Sequence, residues 1–222
     1  MGDPDSGSGI SVFQLILIPA VITLGITILR LVGELRHWPA PFFNASAGGG
    51  LAIVGIVWLV PILGIYYALK LSRAGQGPGS FGKAIGYTVL GLVVAVLGGF
   101  VGFGPGQFFG KEALGYVIMA AGAIWLFPAW PSLFKTLVAY GLAARIPVAI
   151  VMLFAISGKW GTHYDAPPPG FPPDMGFWST YLHIALLPQL IFWMMFTVLV
   201  GALFGTIVAA IAGRGQKFTA ES

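Results

Sequence analysis

The chain predicts an all-α, polytopic membrane protein: a bundle of about six transmembrane helices, with a short interfacial helix and a proline-rich outer loop. Three observations lead there. Of its 222 residues 57% are hydrophobic and 8% charged, whereas soluble domains carry about 25% charged residues. The mean hydropathy is +0.90. The apolar residues also come in runs long enough to cross the roughly 30 Å hydrocarbon layer as helices.

The first ten residues, opening MGDPDSGSG, read as an acidic, flexible tail. They lack the basic stretch of a signal peptide, so the first apolar run is expected to stay as a spanning helix. That run covers Ser11 to Leu31, and the next four cover Leu51–Leu71, Ala84–Phe103, Ala113–Ala129 and Leu133–Ser157. The last run, Phe177 to Gly213, would measure about 55 Å as one helix. That exceeds the roughly 40–45 Å of a whole bilayer. A break at Pro188 is therefore expected, since proline suits a helix start. It leaves Phe177–Leu187 as an interfacial helix and Pro188–Ala212 as the sixth span. Residues 11–213 thus form one transmembrane domain, and residues 214–222 a C-terminal tail.

Six spans put both termini on one side. That side holds Lys70, Arg73, Lys83, Lys135, Arg214 and Lys217; the other holds Arg30, Arg36, Lys111 and Lys159. The basic excess predicts cytoplasmic termini, with a bacterial inner membrane as the expected location. Two longer connections then face outward: residues 33–50, ending in Gly48-Gly49-Gly50, and the proline-rich stretch 158–176.

The function classes narrow by exclusion. The net charge of +4 is spread along the chain and forms no nucleic-acid footprint. With no cysteine, disulfides, thiol catalysis and thiolate metal sites are ruled out. No G-x-S-x-G, H-E-x-x-H or phosphate-binding glycine loop occurs. No cofactor or metal is expected.

Arg145 is the sharpest feature. It lies about 18 Å from either end of the fifth expected span, beyond the reach of snorkelling. An arginine at the bilayer centre costs at least about 2.5–3.5 kcal/mol. It should face the bundle interior and find partners, yet no Asp or Glu falls within any of the six spans. Gln189 and Tyr66 are the candidate companions, and Pro147 frees the Ala143 carbonyl as a further acceptor. Three readings are open: a structural arginine bonded to carbonyls and water, a site for an anionic or lipid-like ligand, or a misdrawn span.

Two weaker patterns follow. Gly82 and Gly86, Gly98 and Gly102, and Gly201 and Gly205 are each four apart, which places both glycines of a pair on one helix face. Such faces serve packing within the chain or docking of another subunit. His37, His163 and His183 all fall on the outer side, and His163 with Asp165 and His37 forms a candidate outer-loop site for acid–base chemistry. Their spacing matches no metal motif.

The functional expectation is a non-catalytic, multi-pass protein. It acts as an accessory or structural subunit, with other membrane proteins or copies of itself as partners beside the lipid bilayer, or it binds a lipid-like or anionic ligand. A small anion permease or channel is the alternative, and a membrane-embedded enzyme using the outer loop the second alternative.

Overall fold

A computed structural model describes residues 10–220, with side chains through residue 213. The N-terminal tail before Ile10, and the C-terminal side chains including Arg214 and Lys217, lie outside the described residues. Among the described residues the regular structure is entirely helical.

Four helices are long and apolar enough to cross a membrane. They are α1 (Val12–Leu35), α3 (Phe81–Phe103), α5 (Pro131–Gly158) and the continuous helical run Phe177–Gly213. Large apolar side chains stand exposed along them: Phe13 is 66%, Ile18 69% and Phe100 69% accessible. A surface of this kind is stable against hydrocarbon and would be a liability in water. Both observations support a membrane location.

Two helices are shorter than the sequence suggests. Helix α2 (Leu59–Arg73) has 15 residues and α4 (Lys111–Ile124) has 14, so each is about 21–23 Å long. The expected second span begins at Leu51, but residues 51–58 are turns. The cause lies just before them. Gly48, Gly49, Gly50 and Leu51 all take positive φ, a left-handed path that glycine adopts cheaply and that keeps this stretch itself out of a right-handed helix. Helix α1, in contrast, runs four residues past its expected end, to Leu35.

The last run also departs from expectation. It is helical from Phe177 onward: α6 (Phe177–Tyr181) passes through π-helical turns at Leu182–Leu186 and Pro188–Phe192 into α7 (Trp193–Ala220). Pro188 therefore does not break the helix in two. A π turn is wider than an α turn, and it absorbs the ring and the missing N–H of a proline.

Glycine decides which helices meet closely. Helix α3 packs on α4 and α2 on α7. A Cβ on Gly98 would lie 2.8 Å from the Met119 nitrogen and 2.9 Å from the Gly115 carbonyl oxygen, and one on Gly102 would press on Gly115. Gly64 of α2 meets the Gly201 backbone so closely that a Cβ would overlap it, and Gly205 lies against the same glycine. The Gly82–Gly86 pair differs: Gly86 has nothing within 4 Å and Gly82 only the Ser80 hydroxyl at 3.9 Å.

Helix α5 runs through the centre and has two unlike halves. Its first half buries Leu133, Leu137 and Tyr140 in a dry cluster with Tyr67, Leu71, Leu126, Trp130 and Leu199. Trp130 adds a bond from Nε1 to the Gln76 carbonyl, 2.8 Å. In the same region Thr23 donates to the Pro19 carbonyl at 2.8 Å, so the 2.9 Å contact with Tyr140 is donated by the phenol. Its second half carries Arg145, Val148 and Met152 and borders a cavity.

A candidate ligand-binding cavity beside Arg145

Glu34 organises the outer end. Helix α1 carries Arg30 one turn before Glu34, and Arg30 Nε donates to Glu34 Oε1 at 2.8 Å. This is the i,i+4 spacing at which helical side chains meet. Across the bundle the connection 159–176 brings His163 onto the same carboxylate. The His163 backbone N–H donates to Oε2 at 2.8 Å, and ring Nδ1 lies 2.6 Å from Oε1. A carboxylate can only accept, so Nδ1 carries the proton and Nε2 the lone pair of the neutral ring. Burial holds the His163 imidazole below its ordinary range, against the opposing pull of Glu34. Glu34 itself is 2% exposed, and its two oxygens are fully engaged.

The loop that delivers His163 is built for that position. Asp165 accepts from the backbone N–H groups of Gly161 (2.9 Å) and Thr162 (2.7 Å) and from the Thr162 hydroxyl (2.6 Å), an Asp-closed turn. Tyr164 reaches under α1 and donates to the Thr27 carbonyl at 3.2 Å. Burial raises the Tyr164 phenol well above its ordinary value, so it stays a neutral donor. On the other side, the Gly49 carbonyl accepts from Arg30 Nη2 at 2.9 Å. A Cβ on Gly49 would collide with that guanidinium, so the left-handed glycines and the arginine fit together as one unit.

Behind this assembly lies a cavity of about 620 Å³, within the roughly 300–1,000 Å³ range of ligand pockets. Its outer wall includes His163 and Tyr164, and Pro168, Phe171, Pro172 and Met175 of the loop cover it as a lid. Arg145, Gln189 and Trp193 belong to the same lining.

Arg145 is 3% exposed and makes no ion pair and no side-chain hydrogen bond among the described residues. Its Nε is a buried, unpartnered donor. The contact it has is a cation–π one, with Cζ 4.8 Å from the Trp193 ring centroid. Such a contact is worth about 2 kcal/mol when desolvated, far less than a buried charge requires. Gln189 is half-satisfied: its amide nitrogen lies 3.6 Å from the Met152 sulfur, and its Oε1 has no partner. The guanidinium of Arg145, the amide of Gln189 and the imidazole of His163 thus share the lining of one largely apolar chamber, to which Arg30 also contributes. Such a set can hold an anion and accept one hydrogen bond.

The carboxylate on the lining is Glu112, at the start of α4, with His183 Nε2 at 3.8 Å. His183 Nδ1 donates to the Ser179 carbonyl at 2.7 Å.

The sequence-derived candidates separate clearly. Arg145, Gln189 and His163 converge on the cavity. Tyr66 lies outside its lining and stacks near Lys70 instead, 5.9 Å from Nζ to ring. Asp165 is spent on its own turn, and His37 is exposed beyond α1 and lines no part of the cavity. No three His, Asp or Glu residues cluster at metal-binding distance among the described residues. Glu34 was legible from sequence only as an acidic residue near the outer histidines, Arg30, Glu112 and Trp193 not as site residues, and Tyr164 only as the middle of His163-Tyr164-Asp165. A visible signal for the first two was the Arg30–Glu34 spacing on one helix face. No protein-family model, no curated protein and no solved structure matches the chain.

Proposed function

We propose that the protein is a non-catalytic membrane protein that binds an amphiphilic anion in this cavity, the anionic group seated on Arg145. The observation that carries the reading is a buried guanidinium on the wall of a largely apolar chamber, with no ion pair and no hydrogen-bond acceptor among the described residues. The half-satisfied Gln189 supplies a second polar anchor, and neutral His163 an acceptor for a protonated oxygen of the ligand. The chain crosses the membrane six times, α2 and α4 making the two short crossings. It is one unit over residues 11–213 in a bacterial inner membrane with cytoplasmic termini. The basic residues of the 70–83 connection support that orientation, which turns the lid outward. The open Gly82–Gly86 face supports a second, accessory role through contact with another membrane chain.

The test is a titration of dodecyl phosphate and of dodecanol onto the protein in nanodiscs of neutral lipid. The phosphate is expected to bind at least tenfold more tightly, and Arg145→Leu to abolish the difference. Equal binding of both by the unmodified protein would overturn the reading. Uptake of inorganic phosphate into vesicles, lost in Arg145→Leu, would assign the same arginine to a permease instead.

A further inference from the structure

The cavity has a neighbour. A groove of about 650 Å³ runs between α4 and the π-helical stretch before α7. One wall carries Ala113, Val117 and Ala120, successive positions on one face of α4. The other carries Leu182, Leu187 and Ile191. Glu112, Tyr116 and His183 line both the groove and the cavity. The two spaces therefore meet across a partition of three side chains. The same helical stretch turns Pro188 and Gln189 to the cavity and Leu187 and Ile191 to the groove.

The groove is polarised along its length. At the shared end stand Lys111, Glu112 and His183. Lys111 is already spent there, its ammonium bonded to the carbonyls of Gly104 and Gly106. From Glu112 to Ala120 the groove extends about 12 Å, and its far part is lined by side chains with no polar atom. Val117, on its edge, is 65% exposed. Resting on the reading that the cavity takes an amphiphilic anion, we infer that this groove is the chain-binding arm of the same site. Its occupant is a single saturated or prenyl hydrocarbon chain attached to the anionic group in the cavity.

Three features select that occupant. The polar groups are confined to the end that joins the cavity, as an amphiphile requires. The distal walls offer no hydrogen-bonding side chain that would recognise a peptide. The exposed edge opens on a helix surface that hydrocarbon already solvates. Glu112 and His183 form the neck, and their 3.8 Å contact is too long for a hydrogen bond that would lock it, so side-chain rotation can open it. The ligand class narrows accordingly to single-chain or prenyl phosphates and carboxylates whose chain exceeds the cavity.

The experiment compares butyl phosphate with hexadecyl phosphate on the unmodified protein and on Ala120→Trp, which fills the far end of the groove. Ala120→Trp is expected to weaken hexadecyl phosphate at least tenfold and to leave butyl phosphate unchanged. A hexadecyl phosphate bearing a photoreactive diazirine at mid-chain is expected to label residues 113–120 and 182–191. This second measurement needs no variant and stands if Ala120→Trp fails to fold. Unchanged hexadecyl phosphate binding in Ala120→Trp, or labelling confined to other helices, would overturn the groove while leaving the cavity reading intact. If neither phosphate binds the unmodified protein, the cavity reading falls and the groove with it.

Discussion

Two buried charges sit on neighbouring helices of this bundle, Glu34 on α1 and Arg145 on α5, and they are treated in opposite ways. Glu34 accepts from Arg30, from the His163 backbone and from the His163 ring, and through Arg30 it is tied to the Gly49 turn. Arg145 is as deeply buried and has the face of Trp193. The first environment engages both carboxylate oxygens in the fold, joining α1, the glycine turn and the outer loop. The second leaves the charge without an ion pair and the Nε–H without an acceptor among the described residues. Desolvation penalises both groups, so the difference marks a division of labour. Glu34 holds the protein together, and Arg145 is the group on which we propose that the ligand's anion sits.

Removing the satisfied charge should do the most damage. Glu34→Ala strands the Arg30 guanidinium and releases His163 and its loop, and it is expected to lower unfolding stability by about 3–5 kcal/mol. Denaturant unfolding in a neutral detergent measures this, and a loss under about 1 kcal/mol would erase the contrast with Arg145. Packing glycines belong with Glu34 on the structural side. Gly64→Val forces a side chain into the Gly201 backbone, at a cost of about 1–3 kcal/mol or more, with anion affinity per folded molecule unchanged. Gly86→Ala, in open space on α3, should instead gain about 0.5–1 kcal/mol. A Gly86→Ala that destabilises the protein would mean that its face is already occupied by a partner.

A smaller effect comes from pH. Burial lowers the folded-state pKa of His163, whereas the unfolded chain protonates at the ordinary value near 6.5. Below that value the unfolded state binds more protons, so stability falls as pH drops from about 6.5 toward the lowered folded-state value. His163→Gln should flatten this part of the profile. Parallel profiles for the two proteins would mean that folding leaves the His163 pKa at its ordinary value.

The contrast also explains what was legible in the sequence. Arg145 stands out in one dimension because a lone charge deep in an apolar run is anomalous wherever the chain folds. Glu34 does not, because it lies just past the point where apolarity fades at Arg30, and hydropathy ends the span there. Its partner His163 comes from a loop 129 positions away, a pairing that no spacing rule encodes. Pro188 marked the right place for an irregularity, but local rules do not say whether a helix answers proline by breaking or by widening into a π turn. Gly48-Gly49-Gly50 was noted as the opening of the second span. Its left-handed path, which delays that helix to Leu59, follows from the arginine it wraps. The glycine faces were half legible: spacing places two glycines together, and the opposing helix decides whether anything meets them.

The most direct measurement is the unfolding stability of Arg145→Leu, with and without dodecyl phosphate, beside the unmodified protein in neutral-lipid nanodiscs. The account predicts that the ligand-free variant matches the unmodified protein within about 1 kcal/mol or exceeds it, since a buried unpaired ion is replaced by an apolar side chain. It also predicts that ligand at a hundred times its dissociation constant adds about 2.7 kcal/mol to the unmodified protein and nothing to the variant. A variant that loses several kcal/mol without ligand, yet is stabilised by the phosphate as strongly as the unmodified protein, would make Arg145 a structural residue and contradict the account.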